Sequence, residues 1–115
     1  MEDMELTKIE SKIIESINYV SDKGGFIISN DYGVEWDGEN WIYDNEYKEC
    51  CPFGALLLKH QPKEPNLHKA IFNTLGIDSQ FLWDFLPAFD MSQNIVLDHT
   101  DGGIVGTRIK KFVHQ

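Results

Sequence analysis

The chain has 115 residues, of which 42% are apolar and 12% aromatic, with a formal net charge of −9. That composition excludes a disordered chain and fits one domain over residues 1–115, large enough to bury a core without disulfide staples. No apolar run approaches the ~20 residues a membrane-spanning helix needs, and Met1-Glu2-Asp3-Met4-Glu5 is acidic where a secretory signal is basic. A cytoplasmic protein is therefore expected, with Cys50 and Cys51 as reduced thiols, because adjacent cysteines do not build a disulfide framework.

The charge is unevenly spread. Residues 1–50 hold 13 acids and 4 bases, residues 51–115 hold 6 of each, so the whole excess of −9 lies in the first half. Such a surface repels nucleic acid and anionic membranes and attracts a basic partner; plain solubility is the alternative reading.

In chain order, Leu6, Ile9, Ile13, Ile17 and Val20 recur at steps of three and four, which predicts a helix over 4–22. Thr7 and Glu10 match a capping box, placing its regular start near Lys8, and Lys23-Gly24-Gly25 stops it. Phe26–Ser29 reads as a strand and Asn30-Asp31-Tyr32-Gly33 as a turn. Asp37-Gly38 between Val34-Glu35-Trp36 and Asn40–Tyr43 marks a hairpin. A small antiparallel hairpin or meander of two or three strands is thus expected over about 26–43, followed by a polar loop at 44–48. Pro52 starts a short buried helix that ends near His60, and Pro65 starts another that Gly76 closes. Asp78 or Ser79 caps a third, with an apolar stripe of Phe81, Leu82, Phe85, Leu86 and Phe89 that Pro87 should end or kink. Asn94–Leu97 reads as loop rather than strand, and Asp101 caps a last helix through Val113. The fold class is α+β: an N-terminal helix, a small antiparallel β unit, then three to four short helices.

Trp41, Cys50-Cys51-Pro52-Phe53-Gly54-Ala55-Leu56-Leu57, Leu75-Gly76-Ile77, Trp83, Phe85 and Phe89-Asp90 together resemble small uncharacterised bacterial or phage-borne proteins with a Cys-Cys-Pro-x-Gly-Ala-Leu-Leu segment and a later Leu-Gly…Trp…Phe-Asp segment. The resemblance spans roughly residues 41–110 and implies no activity and no site residue.

Among candidate chemistries, Cys51 is the sharpest. It precedes a proline-started helix, where the helix N-terminus favours thiolate, and His60, His68, His99 or His114 are possible bases. The competing reading makes Cys50 and Cys51 small apolar residues at the start of a buried helix. Two adjacent Cys and four scattered His match no zinc spacing, so no metal is expected. Asp90, Ser92, Asn94 and Asp98 lack the central glycine and terminal Glu of a calcium loop, and Gly102-Gly103 sits in no P-loop or dinucleotide fingerprint, so no cofactor is expected either. Asp84 lies between Trp83 and Phe85 but falls off the buried stripe.

The hairpin remains. Tyr32, Trp36, Trp41 and Tyr43 alternate with Glu35, Asp37, Glu39 and Glu46, the composition of an aromatic surface ringed by charges that steer a basic protein. These eight residues are the candidate binding set; the competing reading makes Trp36 and Trp41 core residues. The leading expectation is a small acidic, non-enzymatic binding or regulatory protein that docks a basic partner, its acids imitating nucleic-acid phosphates. A thiol-dependent enzyme using Cys51 and a structural or oligomeric subunit without a catalytic site are the alternatives.

Overall fold

The computed structural model describes residues 3–115. Helix α1 spans Asp3–Asp22 and buries Leu6, Ile9, Ile13, Ile17 and Val20 on one face. It starts before the predicted capping box, so Thr7 lies inside it rather than at its end. Leu6 is 2% exposed, and its burial one turn ahead of Ile9 carries the apolar face upstream of Lys8.

The β region departs further from expectation. Strands β2 (Val34–Trp36) and β3 (Trp41–Tyr43) form the expected antiparallel hairpin, with Val34 opposite Tyr43 and Trp36 opposite Trp41. Its connection is four residues, not a two-residue Asp-Gly turn. Asp37 Oδ1 accepts from the amides of Glu39 (2.8 Å) and Asn40 (2.7 Å), so the aspartate side chain, not the glycine alone, closes the loop. Strand β1 (Phe26–Ile27) does not join this hairpin. It pairs in parallel with β4 (Glu49–Cys50), Phe26 opposite Glu49 and Ile27 opposite Cys50. Ladders two residues long show no alternation in a sequence, so the sequence assigns β4 to no element.

Four more helices follow. Helix α2 (Pro52–His60) is buried from Pro52 to Leu58 and forms the centre of the core, packed on α1. Helix α3 (Leu67–Leu75) starts two residues after Pro65 because Asn66 caps it, accepting from the Lys69 amide. Helix α4 (Ser79–Phe89) is capped by Asp78 as expected, but runs two residues past Pro87. Proline in the last turn removes only the bond its own N–H would have made, and the Asp90 amide still reaches the Leu86 carbonyl at 3.1 Å. Helix α5 (Asp101–Val113) packs along α4; its cap is Thr100, not Asp101, with the hydroxyl accepting from the Gly103 amide at 3.1 Å. Residues 94–97 form no regular element. One contiguous apolar cluster joins all these parts, with the Phe53 and Phe85 ring centroids 4.6 Å apart between α2 and α4. No helix of the described residues is long and apolar enough to cross a membrane.

Candidate functional site

One connection and two helices converge beside the N-terminus of α2. The segment after β1 places Asp31 and Tyr32 there, α3 contributes His68, and the outer face of α4 contributes Trp83, Leu86 and Pro87, followed by Asp90. Together with Cys51 at the floor they line an open cleft of about 540 Å³, within the range of about 300–1,000 Å³ usual for ligand sites. No lysine or arginine is among its lining residues.

Each position has a local cause. Asp31 folds its chain into a turn: Oδ1 accepts from the Gly33 amide at 3.0 Å, and its carbonyl accepts from the Cys51 amide at 3.0 Å. Gly33 and Gly54 bring Tyr32 against α2, since a Cβ on Gly54 would lie 2.0 Å from the Tyr32 carbonyl oxygen. The Tyr32 and His68 rings stand at 86° with centroids 5.8 Å apart, and Tyr32 Oη lies 3.4 Å from His68 Nε2. His68 also stacks obliquely on Trp83, 6.3 Å between centroids at 42°. Trp83 is 58% exposed on the flank of α4 opposite its buried stripe. Asp90 Oδ1 accepts from Ser92 Oγ (2.7 Å), the Ser92 amide (2.9 Å) and Ser29 Oγ (3.3 Å). The Ser92 hydroxyl above all holds the Asp90 carboxyl below its ordinary value, so it stays ionised. Burial pushes the Tyr32 hydroxyl up to about 12. At neutral pH the cleft therefore offers aromatic walls, an apolar strip and fixed negative charge.

Cys51 stands just before α2 and is buried, as the reading of a small apolar residue has it, rather than poised as a thiolate. It makes no capping hydrogen bond. Burial pushes its thiol up to about 11, outweighing the opposing pull of the Gly54 and Phe53 amides, and Asp31 adds a smaller rise. Burial likewise raises Cys50 to about 12. A thiol protonated at neutral pH is a poor nucleophile, even though His68, one of the four candidate bases, lines the same cleft.

The raised thiols tie stability to pH. From the ordinary value of 9.0, Cys51 rises to about 11 in the folded chain. Between those values the unfolded chain loses its proton and the folded chain keeps it, so stability is complete below pH 9 and falls as pH rises towards 11. The expected slope is about 1.4 kcal/mol per pH unit for each thiol. Urea unfolding followed from about pH 8 to about 10.5 checks this, and Cys51→Ala should flatten the fall by about one thiol's share.

The candidate binding set is dispersed rather than gathered. Tyr32 alone of the eight lines the cleft. Glu35, Asp37, Glu39 and Glu46 are exposed around the hairpin, and the amides of Asn40 and Glu39 hold the Asp37 carboxyl below its ordinary value. Trp36 is half-buried, its ring edge-on to Trp41 at 5.6 Å with Lys63 Nζ 6.0 Å above it. Tyr43 is half-buried, and burial raises its hydroxyl. Trp41 is a correction: at 2% exposure it is a core residue, not a surface anchor. Its indole N–H donates to the Pro62 carbonyl (3.0 Å), and its backbone exchanges two 2.8 Å bonds with the Gln61 side chain, so it ties the hairpin to the end of α2.

Three contributors to the cleft, Trp83, His68 and Asp90, do not figure in the sequence-derived binding set. The clue for Trp83 was present: the stripe that leaves Asp84 off the buried face leaves Trp83 off it too. Asp84 itself is half-buried and accepts from Gln80 Nε2 at 3.0 Å, beside Asp78 and Asp101 in a second, acidic cleft. Among the described residues, no group of three or more His, Cys, Asp or Glu is placed to hold a metal ion. Compared with protein-family models, curated proteins and solved structures, the chain matches none.

Proposed function

We propose that the protein is a non-enzymatic, cytoplasmic binding protein that docks a basic protein partner through its acidic, aromatic first half, its carboxylates standing in for nucleic-acid phosphates. One observation carries the reading. Residues 26–49 hold seven acids and one base, and Asp31, Glu35, Asp37, Glu39, Asp44 and Glu46 are all exposed. Lys63 leans over this region, but its ammonium bonds the Glu39 carbonyl and the Asn40 side chain rather than a carboxylate. The ion pair of Glu10 with Arg108, at 3.6 Å, joins α1 to α5 and lies outside the hairpin, where Lys63 acts on Asp37 through space. A like-charged field of this kind steers a cationic partner and repels nucleic acid itself.

Association with an arginine-rich peptide, measured by calorimetry at about 50 and about 300 mM salt, tests the reading. Binding is expected at low salt and should weaken by about tenfold or more at high salt, as screening shortens the reach of exposed charges. Replacing Glu35, Glu39 and Glu46 together by Gln should weaken low-salt binding by a comparable factor with an unchanged circular dichroism spectrum. No salt-sensitive association, or a triple variant that binds like the parent, refutes it.

A further inference from the structure

The hairpin acids explain attraction at a distance but offer no concavity. The cleft beside α2 does, and its chemistry is narrower than general negative charge. Resting on the reading of a basic partner, we propose that this cleft takes the side chain of one arginine presented by that partner's chain.

The near-perpendicular rings of Tyr32 and His68 make a corner, and Trp83 continues the wall past His68. A guanidinium is planar, weakly hydrated and suited to lie on an aromatic face, with Trp the strongest ring for it. Leu86 and Pro87, one turn beyond Trp83 on α4, line the same cleft and give the three-carbon stem an apolar surface. Asp31 and Asp90 bring carboxylates from two different segments. Ser29 and Ser92 donate to Asp90 through Oδ1, and the Gly33 amide donates to Asp31 through Oδ1, so Oδ2 of each carries none of these bonds. A guanidinium with five N–H donors can use both, whereas an ammonium gains less from the flat walls.

The Cys51 thiol and Tyr32 hydroxyl, both neutral at physiological pH, let the floor accept the ligand's apolar part without a competing charge. No lysine or arginine lines the cleft; Lys110, whose charge acts on Asp90, lies outside it with its ammonium on the Gln93 and Ile95 carbonyls. A protein segment rather than free arginine is the occupant, because the acids at Glu35, Asp37, Glu39 and Glu46 lie outside the cleft and serve only a ligand that extends beyond one side chain.

The test is a titration of isotopically labelled protein with three short peptides, identical except for one central Arg, Lys or citrulline, read at the Trp indole N–H resonances. Trp83→Phe identifies the Trp83 signal. The Arg peptide is expected to shift the Trp83 resonance and to bind about fivefold or more tightly than the Lys peptide, with citrulline weaker still. Trp83→Ala, at an exposed position, and Asp90→Asn, which keeps the Oδ1 acceptor, should each weaken the Arg peptide by about fivefold, and Trp83→Phe should restore part of the loss. Equal binding of Arg and Lys overturns the guanidinium assignment. Arginine amide binding as tightly as the peptide overturns the protein-segment assignment. An arginine-rich chain that binds in a salt-sensitive manner while Trp83 stays silent overturns the cleft and leaves the basic-partner reading standing. No binding of either the single-Arg peptide or the arginine-rich chain removes both.

Discussion

Trp41→Ala is expected to destabilise the fold by about 3–5 kcal/mol, the cost of emptying a large aromatic site that cannot fully collapse. Three features place it at the upper end. The ring is 2% exposed and packs against Trp36 on the opposite strand. Its indole N–H donates to the Pro62 carbonyl at 3.0 Å, so truncation also strands that acceptor. Its backbone is clamped by Gln61, whose left-handed conformation (φ 50°) ends α2, so a shift of β3 disturbs the helix terminus as well. A fall in melting temperature of about 10–20 °C is the corresponding expectation. Trp36→Ala is the comparison: that ring is half-buried, and its loss should cost clearly less. Equal losses at the two positions would contradict the burial difference. The same reasoning decides which tryptophan can report on binding. Loss of association in Trp41→Ala would record unfolding, whereas Trp83, exposed on α4, can be removed without opening the core.

The second large effect is expected at Gly33→Ala. Two penalties coincide there. Gly33 has φ +73°, a left-handed conformation that costs a side-chain-bearing residue about 1–2 kcal/mol. A Cβ would also lie 2.0 Å from the Glu49 carbonyl oxygen and 2.7 Å from Cys50 Cα. Both are backbone atoms of β4, which no rotamer change can move, so overpacking adds about 1–3 kcal/mol. Gly76→Ala separates the two penalties. Gly76 has φ +71° but open space where the Cβ would go, so it should show the conformational cost alone. Chemical denaturation of both variants is the measurement, and the difference between them is the expected cost of the contact with β4. A Gly33→Ala loss no greater than that of Gly76→Ala would contradict it. Gly33 follows Tyr32, so the surviving folded population should also present an altered cleft.

These effects mark the boundary between what was legible in the sequence and what was not. Helices were legible wherever apolar residues repeat over three turns or a cap is chemically explicit: α1 from its five-residue stripe, α2 from Pro52, α4 from Asp78. Errors fell at ends and short pairings. Thr100 rather than Asp101 caps α5, because either residue is a good cap and only the chain's path selects one. The pairing of β1 with β4 joins residues more than twenty positions apart through ladders too short to carry a pattern.

The sequence by itself determined this protein's class and its distribution of charge: an α+β chain, an acidic first half, an aromatic hairpin and a neutral, helix-rich remainder. Charge and periodicity are local properties, and neighbouring residues suffice to state them. Only the tertiary structure decided which aromatics face outward and which groups meet. Trp41 and Trp83 are the same residue type, yet one fills the junction of β3 with α2 and the other stands 58% exposed. Tyr32, Cys51, His68, Trp83 and Asp90 are scattered over nearly sixty residues and line one cleft only because α2, α3 and α4 pack as they do. The ionisation of Cys51 was decided there as well. Its place at a helix start argues for thiolate, but the burial that packing imposes outweighs the pull of the helix amides and keeps the proton on sulfur.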